Sequence, residues 1–84
     1  MHGERPQIEY PCTWTYRVIA ADVVGTAHAI AERLGTRPHT LQQGRTSRTG
    51  KYASIELELE VVDAADRDEL FAALNDMHGV RFVL

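Results

Sequence analysis

The sequence predicts a two-layer α+β fold in which a four-stranded antiparallel sheet is backed by two helices. Three observations lead there. From Lys51 to Val62 apolar and polar residues alternate without a slip: Ala53, Ile55, Leu57, Leu59 and Val61 point one way, and Tyr52, Ser54, Glu56, Glu58 and Glu60 the other. A period of two over that length is a strand with one face in a core and one in water. Two further stretches have helical spacing, and each opens on an aspartate placed to cap a helix. Finally, the elements follow one another as β-α-β-β-α-β.

In chain order, residues 1–11 are expected to form a flexible lead-in and residues 12–84 a single domain. Thr13 to Ala20 is β-branched and aromatic, a strand by composition. It carries Trp14, Tyr16, Val18 and Ala20 on one face and Thr15, Arg17 and Ile19 on the other. Asp22 caps the first helix, whose expected apolar stripe is Val24, Ala27, Ile30, Ala31 and Leu34, with Gly35 as its stop and Pro38 beyond. His39 to Ser47, diluted by Gln42, Gln43 and Gly44, reads as an edge strand. Arg48-Thr49-Gly50-Lys51 is the turn into the alternating strand. Asp63 caps the second helix, with Leu70, Phe71, Leu74 and Met77 as its stripe and Gly79 as its end. Val80 to Leu84 is the last strand.

Right-handed crossovers put these strands in the order 4-1-3-2 with both helices on one face, the ferredoxin-like arrangement. Arg17 and Arg81 are then expected on the open face, beside the glutamate row. Trp14 and Tyr16 are expected beneath the helices.

With 84 residues the chain makes one domain with a thin core. Cys12 is the single cysteine, so no internal disulfide is available, and a reducing cytoplasmic setting fits. The polar N-terminus has no apolar run behind it, and no stretch approaches the ~20 apolar residues of a membrane span. The net charge of −3 is unevenly spread. Between Arg33 and Ile55 there is no acid, while Arg33, Arg37, Arg45, Arg48 and Lys51 are all basic. That pattern marks a local anion-attracting region on an acidic body and argues against a general nucleic-acid binder.

Three stretches together resemble a known family. Glu9-Tyr10-Pro11 followed by Trp14-Thr15-Tyr16-Arg17-Val18-Ile19, then Ser47-Arg48-Thr49-Gly50-Lys51-Tyr52-Ala53-Ser54-Ile55, then Val80-Arg81-Phe82-Val83-Leu84 are similar to the YbeD-like family of small bacterial proteins of unknown function. The resemblance spans residues 9–84. It implies a βαββαβ, ACT-like fold and no established catalytic activity, and it carries no catalytic residues to transfer. ACT domains are regulatory modules that bind amino acids at the junction of the first strand and first helix, commonly across a dimer. Their D-x-P-G junction is matched here by Asp22-Val23-Val24-Gly25, with valine where proline is usual.

Two candidate sites follow. Asp22 and Gly25 mark the strand-helix junction, where free N–H groups face a ligand carboxylate; the plainer reading is a helix cap. Arg45, Arg48 and Lys51 bracket the hairpin turn and suit an anion or an acidic partner; the plainer reading is a solvated loop tip. The histidines lack ligand spacing, so no metal or other cofactor is expected. No nucleophile, base and oxyanion-donor set can be assembled either. The expectation is a non-enzymatic regulatory module binding a small carboxylate or anionic ligand, or docking on an enzyme. The alternative is an adapter acting through a strand edge or the charged sheet face, and a homodimer through the last strand suits either. RNA binding ranks third, because the open face is expected to offer Tyr52 and then three glutamates.

Overall fold

The computed structural model of the chain describes residues 8–46 and 50–84. The elements are β1 (Cys12–Ala20), α1 (Val23–Leu34), β2 (His39–Thr46), β3 (Ala53–Val61), α2 (Ala64–Asn75) and β4 (Val80–Val83). The sheet order is β2-β3-β1-β4, the predicted order read from the opposite edge, and every neighbouring pair is antiparallel.

The two central strands pair without interruption from Cys12↔Val61 to Ala20↔Ala53. That register stacks Tyr16 on Leu57 and Val18 on Ile55, all of them buried. The helices cover this face. Ile30 of α1 and Leu70 and Leu74 of α2 close the same cluster, with Trp14, Leu34 and Leu41 packed at its margin. The buried Tyr16 donates its hydroxyl hydrogen to the Arg67 carbonyl at 2.6 Å. Burial pushes its phenol up to about 12, with Asp66 adding to the shift and Arg67 and Arg37 opposing it. The face-to-core assignment of both inner strands is therefore as the alternation predicts.

Tyr10 packs against the core and accepts a hydrogen bond from Arg67 Nη1 at 3.0 Å, while the Arg67 guanidinium lies 5.0 Å from the Trp14 ring centre. The folded unit thus includes part of the expected lead-in, of which residues 1–7 lie outside the described residues.

The helix stripes need correction. In α1 the buried positions are Thr26 and Ile30, flanked by the half-buried Val23, Ala27 and Leu34. Val24 is 81% exposed. Ala27, Ile30 and Leu34 face the core as expected, while Val23, the first helical residue, packs against it in place of Val24. In α2, Phe71 is 43% exposed, and Leu70 and Leu74 alone are buried. This helix ends at Asn75 with Asp76 as its cap, so Met77 packs on the core from the following turn. Gly79 (φ 87°) belongs to that turn and does not end the helix.

The largest departure from expectation lies in β4. Val83 faces the core opposite Val18, while Phe82 pairs with Ile19 on the open face. A bulge between the Ile19 and Ala20 pairings inserts one extra residue, since Val80 still lies opposite Ala20. The backbones of Arg17 and Leu84 exchange hydrogen bonds of 3.0 and 2.8 Å, so Leu84 shares the open face with Phe82. Simple alternation from Val80 places Phe82 and Leu84 inside; the bulge turns both out. Arg81 lies over the Tyr52 ring, 6.0 Å from its centre, and not beside the glutamates.

Candidate functional site

Away from the helices, the face of the sheet is graded from one end to the other. Thr13↔Glu60 and Thr15↔Glu58 form an acidic end, followed by Arg17↔Glu56 and then Ile19↔Ser54. Arg17 Nη2 contacts Glu56 Oε2 at 3.3 Å, the cross-strand pair that the register predicts. Such an exposed pair contributes about 0.5 kcal/mol.

At the apolar end the sheet carries a trough of about 600 Å³ reaching across all four strands. Ile19, Phe82 and Leu84 form its apolar side, Tyr52, Ala53 and Ser54 its floor, and Arg17, Glu56, Gly44, Arg45 and Thr46 the remaining wall. Phe82 is 46% and Leu84 66% exposed.

A second bulge shapes the opposite wall. Gln43 pairs with Ile55 and Thr46 with Ala53, so β2 spends three steps where β3 spends two. Gly44 and Arg45 both sit opposite Ser54 as a result. Straight alternation from Leu41 and Gln43 aims Arg45 at the core face, whereas the extra residue delivers it to the trough. Gly44 leaves room for the Ser54 hydroxyl, which a Cβ there would force to turn away. The Ser54 hydroxyl in turn donates a long hydrogen bond to the Arg45 carbonyl, 3.5 Å.

Of the residues predicted at the hairpin, Arg45 thus lines the trough, and Lys51 is exposed and outside its lining. Arg48 lies outside the described residues. Ile19 stands on the open face where alternation puts it, and Phe82 and Leu84, expected only as part of the edge of the last strand, reach that face through the β4 bulge, which sequence alternation conceals.

Asp22 and Gly25 are where the sequence puts them, at the first turn of α1. The Asp22 Oδ1 atom accepts the Gly25 N–H at 3.0 Å, and a Cβ on Gly25 meets Asp22 Oδ2 at 2.3 Å. The protein's own carboxylate therefore takes up the N–H that an incoming anion would use, and its charge repels a second carboxylate. Gly25 makes room for that cap. Asp22→Ala is expected to lower stability by about 1 kcal/mol. Gly25→Ala is expected to destabilise the parent by displacing the cap, yet to stabilise the Asp22→Ala background, where only the helix preference of alanine remains. Chemical denaturation of the four proteins checks the cycle.

A third arrangement involves an unforeseen pair. Arg37 forks onto Asp66, Nη1 to Oδ1 at 3.0 Å and Nη2 to Oδ2 at 2.6 Å, and Nη2 also donates to the Glu60 carbonyl at 2.8 Å. Asp66 Oδ2 accepts the Val62 N–H at 3.0 Å, and the Asp66 N–H goes to the capping Asp63 at 2.8 Å. The hydrogen bond from Arg37 holds the Asp66 carboxyl below the usual carboxylate range; partial burial opposes that shift and the Val62 N–H reinforces it. Both Asp66 carboxylate oxygens and both terminal Arg37 nitrogens are used within the fold, so the clamp ties the β2 entry to the α2 start.

Among the described residues no group of three or more His, Cys, Asp or Glu side chains is arranged to hold a metal ion. No described helix is long and apolar enough to cross a membrane.

Two sequence relatives and one solved structure each match most of this chain. An uncharacterized protein of Helicobacter pylori (strain J99) is 35% identical over 83 residues, 96% of this chain and 94% of its own length. The uncharacterized protein Cj0253 of Campylobacter jejuni is 35% identical over 71 residues, covering 84% of this chain and 82% of its own. The solution structure of protein HP0495 from H. pylori superposes with a TM-score of 0.82 at 29% identity, covering 96% of this chain and 89% of that one. The family described as "Protein of unknown function (DUF493)", which takes in the YbeD-like proteins, matches residues 5–84 and so contains all three motif stretches; the chain belongs to that family.

Proposed function

We propose that this domain is a non-enzymatic binding module that takes a small anionic ligand in the trough of its open sheet face. The observation that carries this reading is the pair of bulges. Each edge strand contains one extra residue at the same end of the sheet, and each extra residue turns a side chain, Arg45 or Phe82, toward one trough. Bulges cluster beside binding and active sites because they re-aim side chains. A trough of about 600 Å³ also has the size of a small-molecule site. The strand-helix junction is the weaker candidate, since Asp22 already caps it.

A second reading, an adapter that docks a protein on the same face, draws support from the exposure of Phe82 and Leu84. Regulation under either reading works by mass action, with the occupant favouring whichever assembly presents this face.

Thermal-shift screening with amino acids, phosphorylated metabolites and neutral analogues tests the ligand reading. A ligand at tenfold its Kd stabilises by about 1.4 kcal/mol. In a domain of this size that raises Tm by roughly 5 °C or more. Stabilisation by anionic members of the panel, abolished by Arg45→Glu, is the expected result. No stabilisation at millimolar concentration, or equal stabilisation of Arg45→Glu, counts against it.

A further inference from the structure

We infer that the trough is a site for nucleoside phosphates, with the base against Phe82 and the phosphate on Arg45. The inference rests on the trough being an anion site and adds the chemical class. Three kinds of group meet there, and a nucleotide has a counterpart for each.

The first is a flat apolar surface. Phe82 and Ile19 lie side by side across β4 and β1, and Tyr52 stands on the same floor with Arg81 stacked 6.0 Å from its ring centre. Aromatic rings and guanidinium planes on an open sheet are what a planar base stacks on. The second is a cation in reach. Among the described residues Arg45 has no carboxylate partner, so its fork is available to a phosphate. The third is an acceptor. Glu56, beside Arg17 at 3.3 Å, faces the trough and accepts hydrogen bonds from ribose hydroxyls or an exocyclic amine. A plain alkyl or aryl carboxylate has no donors to use it.

Size and charge narrow the class further. Four strands at ~4.8 Å spacing make the trough about 15 Å across, too long for a free amino acid to fill. Along the strands the face turns acidic at Glu58 and Glu60, which repel a continuing row of phosphates. The site therefore suits a nucleotide and rejects a long single strand.

The test is a ¹H–¹⁵N titration of the whole chain with adenosine monophosphate, adenosine, inorganic phosphate, phenylpropionate and a uridine hexamer. The monophosphate is expected to shift the amides of Ile19, Ser54 and Phe82, and to bind about tenfold more tightly than adenosine or phosphate alone. Phe82→Ala and Arg45→Gln, both at exposed positions, should each weaken it about tenfold while the remaining spectrum stays dispersed. Phosphate alone matching the monophosphate, a hexamer that binds far more tightly, or shifts centred elsewhere would overturn the assignment. If phenylpropionate moves these amides and the monophosphate does not, the nucleoside class falls and the anion reading stands. If no anion moves them at 10 mM (about the weakest binding worth assigning), both fall.

Discussion

Leu57→Ala should lower the unfolding free energy by about 3 kcal/mol, with an unchanged denaturant slope. Leu57 is 0% exposed, sits in the middle of a central strand and pairs with Tyr16 on one side and Leu41 on the other. Removing three carbons there leaves a cavity that two strands and a helix layer cannot close. A domain of this size has roughly 4–13 kcal/mol of stability in all, so the loss is a large share of it. The neighbouring Glu58→Ala, on the wet face, should stay within about 0.5 kcal/mol. Phe82→Ala removes more apolar bulk than Leu57→Ala, yet should cost under about 1 kcal/mol, because its ring is already half in water. Urea denaturation of the three variants gives the ranking. A Phe82→Ala cost equal to that of Leu57→Ala would mean that β4 follows simple alternation after all.

The second large effect belongs to the clamp between Arg37 and Asp66. Arg37→Met should cost about 2 kcal/mol at neutral pH, since it strands a half-buried carboxylate and leaves the Glu60 carbonyl without its donor. Asp66→Asn should cost somewhat less, keeping shape but losing charge. The two changes act on one network, so the double variant should fall well short of the sum.

The clamp also predicts the acid limb of stability. A carboxyl held below its ordinary value in the folded state contributes stability that is fully present above the unfolded value, near pH 4. That contribution is lost as the pH falls through the lower, folded value. The parent should therefore lose stability below about pH 4 more steeply than Asp66→Asn, and Arg37→Met should share the flatter profile. Denaturation midpoints between pH 2 and 7 check this (about the range in which carboxylates titrate). Parallel profiles for all three proteins would remove the clamp from the account.

The sequence displays the inner strands because their alternation is set by burial on a single face, and an uninterrupted ladder keeps period two from end to end. The caps are equally visible, since Asp22 and Asp63 each act within three residues of themselves. What alternation hides is the edge strands. A bulge is one residue long and changes no composition, yet it reverses the face of everything beyond it, so Phe82 and Leu84 stand outside where straight alternation from Val80 puts them inside. For the same reason the open face reads as Tyr52 and glutamates in the sequence, while in the fold its two ends differ in character. The pairing of Arg37 with Asp66 bridges 29 positions and rests on the crossover geometry. Its only local sign is a basic residue just after a helix.

Of the residues named at the hairpin, Arg45 lines the trough, and only because the second bulge turns that side chain. The strand-helix junction was legible as a motif, and its geometry is that of a cap.

The two rephased edges carry the whole functional reading, and proton–proton contacts in solution measure them directly. Nuclear Overhauser effects are expected from the Phe82 ring to the Ile19 side chain and from Gly44 to Ser54, with Val83 methyls touching Leu70 or Leu74. Contacts from the Phe82 ring to Leu70 and Leu74, with Val83 in solvent, would contradict the account and leave the open face without its trough.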